Sequence, residues 1–327
     1  MLFPFPAPAP LVGIARLAAT SPRLEAKSQV EYFELESRSI LNRCSSPRMP
    51  FPWTINPYRG CEFGCQYCYA RYTHEFMGLE DPSLFENKIY AKARAAELLR
   101  RELRLHPEGE IALGTSTDPY QPAERRYRIT RSLLEVFAGE CGRRLGITTK
   151  SNLVERDIDV LLEVARRNAL SINMTVTTTD PALARKLEPR APRPDLRLAA
   201  VSRLAQAGLS VGVFASPILP GITDSESSLD AVARAAKEAG AGYLRSGLVF
   251  LMPSAQKQFF PFLDQQFPAL APRYRARFQA NPYLRGEYAE MIRRRVARIR
   301  ERHGLPSAPP DVAPDPAAEQ EQLALFD

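Results

Sequence analysis

Histidine, cysteine and tryptophan are all scarce in this chain of 327 residues, which has three, five and one of them. Each shortage narrows the chemistry. His74, His106 and His303 are scattered and supply no second ligand pair for a structural zinc site, which normally takes four ligands from two places in the chain. An odd cysteine total, with no secretory context, argues against a disulfide framework. No apolar run approaches the roughly 18 residues of a membrane span. The N-terminus is apolar but broken by prolines and lacks a basic n-region, so no signal peptide is expected.

Three of the cysteines stand together in Asn56-Pro-Tyr-Arg-Gly-Cys61-Glu-Phe-Gly-Cys65-Gln-Tyr-Cys68-Tyr69. Clustered thiols need a reducing compartment, which points to the cytoplasm. Iron–sulfur clusters are built on cysteine sulfur, so three thiolates can hold three irons of a cubane. The fourth iron is then open to a substrate. A metal-stabilised binding module without catalysis is the alternative. Cys44 and Cys141 are isolated.

Apolar residues make up 45% and charged residues 25%, as in ordinary soluble globular proteins. Short apolar runs predict strands at 53–57, 110–114, 145–149, 171–176, 209–215 and 243–250. Helical spacing predicts helices at 87–105, 131–143, 155–168, 194–208 and 224–240, with Gly208 and Gly240 at C-caps. This alternation predicts an α/β fold, a partial six-unit (β/α) barrel of the TIM type. Its chemistry belongs at the C-terminal strand ends, where the cysteine loop falls. The expected organisation is an N-terminal extension (1–50, with short helices near Arg23 and Ser37), the barrel (51–251), a helical Arg-rich segment (252–303) and a flexible acidic tail (304–327).

The Cys-x3-Cys-x2-Cys-aromatic loop on such a barrel resembles the radical S-adenosylmethionine (SAM) superfamily. Further pieces are similar to its spore photoproduct lyase branch: Thr-Ser116-Thr-Asp118-Pro-Tyr, Thr-Lys150-Ser, Ser-Ile-Asn173 and Ser216-Pro-Ile, at successive strand ends. The resemblance implies a 4Fe–4S cluster on Cys61, Cys65 and Cys68, and SAM or a modified SAM on its open iron. It also implies an external one-electron reductant and a 5′-deoxyadenosyl radical that abstracts hydrogen from substrate. Lys150 matches the position that neutralises the SAM carboxylate. Ser116, Asp118 and Asn173 are expected near the ribose or sulfonium, Tyr67 and Tyr69 as walls for the adenine, and Ser216 as an adenine contact. Plain structural roles stay open for each: turn chemistry for Ser116, Asp118 and Ser216, neighbour bonding for Asn173, packing for the tyrosines, and a solvated end for Lys150. One departure stands out. Where the branch carries a hydrogen-donating cysteine this chain has Thr115, whose O–H bond is too strong for that job.

Net charge is +7, and the segment from Arg273 to His303 alone holds ten arginines against Glu287, Glu290 and Glu301. Arg293, Arg294, Arg295 and Arg298 on one expected helix suit DNA or RNA phosphates, or else pair with nearby acids. From Gly304 onward there are five acids, five prolines and no Lys or Arg. The chain closes on Gln322, Leu323, Leu325 and Phe326, which resembles the peptide that docks bacterial proteins on the DNA sliding clamp. The combined expectation is a radical SAM enzyme acting on nucleic acid. Radical chemistry on a small molecule, peptide or cofactor is the alternative.

Overall fold

The structure, a computed structural model, describes residues 11–27, 29–46, 48–105 and 109–309. The clamp-like peptide (Gln322, Leu323, Leu325, Phe326) and His106 lie outside the described residues. The strands are β1 Arg23–Lys27, β2 Val30–Glu34, β3 Leu41–Arg43, β4 Trp53–Ile55, β5 Tyr58–Arg59, β6 Lys88–Ala91, β7 Glu110–Leu113, β8 Arg144–Thr149, β9 Ala169–Thr175, β10 Val211–Ile218 and β11 Leu244–Leu248.

The larger sheet runs β11-β10-β9-β8-β7-β4-β3, parallel throughout except for β3, which is antiparallel to β4 at the edge. The six parallel strands are those expected from the apolar runs, and they form the partial barrel. Ile55, Leu113, Ile147, Ile172 and Val213 are buried in it. Helices Ile129–Ala138, Ile158–Arg167, Pro194–Gln206 and Glu226–Glu238 cover its outside with their apolar faces. Gly208 and Gly240 follow two of these helices with positive φ, as their C-cap placement requires.

Two expectations fail in the N-terminal part. Short helices near Arg23 and Ser37 are absent: Arg23–Lys27 and Val30–Glu34 form an antiparallel hairpin instead, and the described helix lies earlier, at Gly13–Thr20. The helix expected over 87–105 is also shorter. Lys88–Ala91 is a strand that pairs with β2 and β5, and the helix begins at Ala95. At Lys88–Ala91 pairing with strands distant in sequence outweighs a weak local preference. The resulting small sheet β1-β2-β6-β5 braces the start of the cysteine loop.

Past the barrel come helices Pro253–Gln266, Ala271–Phe278 and Gly286–His303. The last buries Ala289, Ile292, Val296 and Ile299 and packs on Glu226–Glu238. No helix among the described residues is long and apolar enough to cross a membrane.

Candidate functional site

The cysteine loop is held by bonds from several directions. Gly60 starts it at φ +80°, where an added Cβ would meet the Lys88 and Phe85 carbonyls at 2.7 Å, so glycine is required. The Gly60 carbonyl accepts from the Thr117 hydroxyl (2.6 Å) and the Gln121 amide (3.0 Å). Cys61 N–H donates to Phe85 O, Gln66 N–H to Leu187 O and Arg190 N–H to Phe63 O. Buried Arg71 reaches the Cys65 carbonyl at 3.1 Å and pairs with Glu86 at 2.5 Å. No local signal in the sequence marks Thr117, Gln121 or Arg71, because their partners lie far along the chain or in the loop's own backbone.

Behind the loop lies a cavity of about 470 Å³ lined by Cys61, Cys65, Cys68, Lys150 and Asn173, with the Thr115–Asp118 turn. Small residues, Ala112 and Gly146 among them, stand on the barrel strands and keep its interior open. Ligand cavities commonly span 300–1,000 Å³, so a nucleotide-sized cofactor fits in volume. Tyr67, Tyr69, Ser116, Asp118 and Ser216 line the same cavity. Every site residue expected from sequence is therefore brought together there.

Several of them bond to protein, in the structural roles left open beside the ligand contacts. Asp118 is turned to protein: its carboxylate accepts from the Thr149 hydroxyl, the Lys150 N–H and the Tyr120 N–H. Burial pushes this carboxyl up against those bonds, which favour the charged form. Asn173 donates to Ile147 O at 3.1 Å and accepts from the Tyr243 hydroxyl at 3.2 Å, the neighbour bonding of a buried strand residue. Ser116 N–H donates to Asn56 Oδ1 at 2.7 Å. Ser216 precedes a cis proline and lies inside β10, which runs on to Ile218. Tyr67 points its hydroxyl away from the cavity, to Glu188 and Thr177. Tyr69 donates to the Thr115 carbonyl.

Lys150 sits 5.9 Å from the centre of the Tyr67 ring. Burial pulls its pKa down, but Cys65 and then Glu188 more than offset this, and the ammonium is held above its ordinary value. Glu188 and Arg197 form a buried ion pair at 2.5 Å, each 1% exposed. Burial raises the Glu188 carboxyl, yet Arg197 and then Lys150 outweigh it and hold it at about 2. This pair, absent from the expected site, anchors Tyr67 behind the cysteines.

The donor set suits a cubane. All three thiols are pushed up chiefly by burial, Cys65 to about 12, and a coordinated metal would stabilise their thiolates. No group of three or more His, Cys, Asp or Glu among the described residues converges on a single ion. A cubane needs no such convergence, since each of its irons takes one cysteine. His74 is buried against Phe85 and Tyr90, and burial lowers it to about 4, while His303 pairs with Asp230. Neither completes a zinc site. Cys141 lies just before β8, at the opposite end of the barrel from the loop.

The Arg-rich helix is partly spoken for. Arg293 and Arg294 both pair with Glu290, Arg295 donates to the Asp224 carbonyl, and Arg298 is exposed.

Comparison with known proteins agrees with this geometry. The radical SAM superfamily model matches residues 55–232. An uncharacterized protein of Mycobacterium tuberculosis is 34% identical over 310 residues, 92% of this chain and 91% of the relative. One of Methanocaldococcus jannaschii is 26% identical over 241 residues, 74% of this chain and 85% of the relative. Among solved structures, a spore photoproduct lyase mutant with bound AdoMet and dinucleoside spore photoproduct has a similar fold. Its TM-score is 0.59 at 16% identity, over 83% of this chain and 79% of that one. Spore photoproduct lyase complexed with dinucleoside spore photoproduct is similar to the same extent, with a TM-score of 0.59 at 17% identity. This chain belongs to the radical SAM superfamily and is an enzyme whose cofactors are a 4Fe–4S cluster and SAM.

Proposed function

We propose that this radical SAM enzyme acts on nucleic acid, in DNA repair or modification. When bound, the reduced cluster and SAM supply a 5′-deoxyadenosyl radical for hydrogen abstraction. The protein's own part is to hold, orient and exclude water. Cys61, Cys65 and Cys68 hold the cluster, protonated Lys150 offers a counter-charge for the SAM carboxylate, and the buried Glu188–Arg197 pair keeps Tyr67 in place beside them.

The observation that carries the substrate reading is an aromatic wall beside the cavity. Tyr69 and Phe250 meet at 4.5 Å, Phe250 stacks on Tyr283 at 5.3 Å, and the Arg48 guanidinium lies 4.0 Å over the Tyr283 ring. Arg48 and Phe250 also line the cavity. Unpaired bases stack on such aromatic and guanidinium planes. Exposed Arg298 adds a positive group farther out on the chain's surface. Thr115, hydrogen-bonded to Asn56, offers no thiol. The hydrogen returned to a substrate radical therefore has another source than that position, and the product differs from simple dipyrimidine reversal unless another donor serves. The clamp-like peptide fits recruitment to replicating DNA, and the thiol-bound cluster fits the cytoplasm.

The test is anaerobic incubation of the reconstituted enzyme with dithionite, SAM and either intact or damaged oligonucleotides. The reading expects salt-dependent binding and 5′-deoxyadenosine formation that rises with one class of nucleic acid. A protein that ignores DNA and RNA at low salt overturns it and leaves a small molecule, peptide or cofactor as substrate.

A further inference from the structure

A second cleft, of about 570 Å³, borders the cysteine loop at Phe63. Phe63, from within that loop, lines both this cleft and the cysteine cavity, so one side chain stands between them. Four arginines line the cleft, Arg125, Arg185, Arg190 and Arg193, and no acid does. Arg193 is closed by Asp195 at 2.7 Å. Arg185 donates only to the Pro189 carbonyl and Arg190 to the Asn87 amide oxygen, while Arg125 makes no ion pair among the described residues. All three are exposed. Between the guanidinium groups the floor is apolar, with Phe63, Tyr120 and Pro192.

We infer that this cleft docks an acidic one-electron carrier protein. The inference rests on the family's cluster and is independent of the nucleic-acid substrate. The cluster must be reduced by one electron from outside, since Cys44 and Cys141 stand singly and no second group of cysteines provides an internal relay. The inner side of the loop faces the cofactor cavity. This cleft meets the loop at Phe63, and the three guanidinium groups without an acidic partner would draw an acidic protein to it by long-range attraction. The aromatic wall of Phe250 and Tyr283 shares no residue with the cleft, which separates the two surfaces. In the transfer the carrier is oxidised by one electron and the cluster reduced by one. No bond forms or breaks and no proton moves.

The experiment uses the cluster-loaded protein without SAM, in R125E/R185E/R190E and R125Q/R185Q/R190Q forms. Stopped-flow bleaching of the cluster is followed with a small acidic flavoprotein photoreduced to its hydroquinone, and separately with dithionite. The expected result is a carrier rate that falls about tenfold or more, further for Glu than for Gln, with a flattened salt dependence. The dithionite rate stays unchanged. If the Glu form does not load the cluster, the Gln form carries the comparison. Unchanged carrier rates, or equal losses with both reductants, overturn the proposal. So does loss of single-stranded oligonucleotide binding with the carrier rate intact, which would make the cleft a nucleic-acid surface.

Discussion

Asp118 accepts the backbone N–H of Lys150 at 2.7 Å, so one carboxylate ties the turn after β7 to the end of β8 and fixes where the ammonium stands. A second bond from the Thr149 hydroxyl, also 2.7 Å, locks the same carboxylate. Replacing Asp118 by Asn removes one acceptor and sets an amide N–H against a buried donor, which costs about 1–3 kcal/mol. Lower stability in urea with weakened SAM binding is expected. An Asp118→Asn protein of wild-type stability and SAM affinity would contradict this bracing role.

Lys150→Ala is expected to weaken SAM binding about tenfold or more while iron content stays at the wild-type level, because the lysine provides charge to SAM and no ligand to iron. Equilibrium binding to the reconstituted enzyme checks it. Unchanged affinity would return Lys150 to a structural part.

The Glu188–Arg197 pair gives a pH-dependent prediction. The Glu188 carboxyl is held at about 2 in the folded chain, below its ordinary value of 4.5. Its contribution is therefore fully present above pH ~4.5 and fades as pH falls toward 2. Glu188→Gln leaves Arg197 buried without a counter-charge and is expected to cost about 3–5 kcal/mol at pH 7. The gap to wild type in denaturant titrations should narrow below pH ~4. A gap independent of pH would contradict the assignment.

How far these relationships could be read in advance depended on distance along the chain. The Cys61–Cys68 spacing is local, and so are the apolar runs of β4 and β7 to β11, so loop and barrel were both visible. The strand Lys88–Ala91 was hidden inside a helical pattern because its partners, Val30–Glu34 and Tyr58–Arg59, lie outside any local window. Nothing local in the sequence shows that Glu188 and Arg197 are each only 1% exposed. Asp118 stays open in the sequence between a ligand contact and turn chemistry. Its bonds to Thr149 and Lys150 appear only once β7 and β8 stand side by side.

For the nucleic-acid reading, Phe250→Ala and Arg48→Ala each remove a stacking plane and should weaken single-strand binding by about 1–3 kcal/mol. Fluorescence anisotropy with a labelled oligonucleotide measures this. Binding that survives both changes would place the strand elsewhere.

Deletion of Gln322–Asp327 is expected to abolish clamp binding with SAM cleavage untouched, because an extended terminal peptide docks independently of the barrel. A pull-down with purified clamp decides it. A wild-type chain that never binds clamp removes the recruitment reading.

The most direct test of the whole account is anaerobic reconstitution followed by iron analysis and incubation with dithionite and SAM. The wild-type chain should take up about four irons, absorb near ~400 nm and release 5′-deoxyadenosine, whereas Cys61→Ala, Cys65→Ala and Cys68→Ala should each lose all three properties. Zinc in place of iron, or full SAM cleavage by the Cys65→Ala protein, would contradict it.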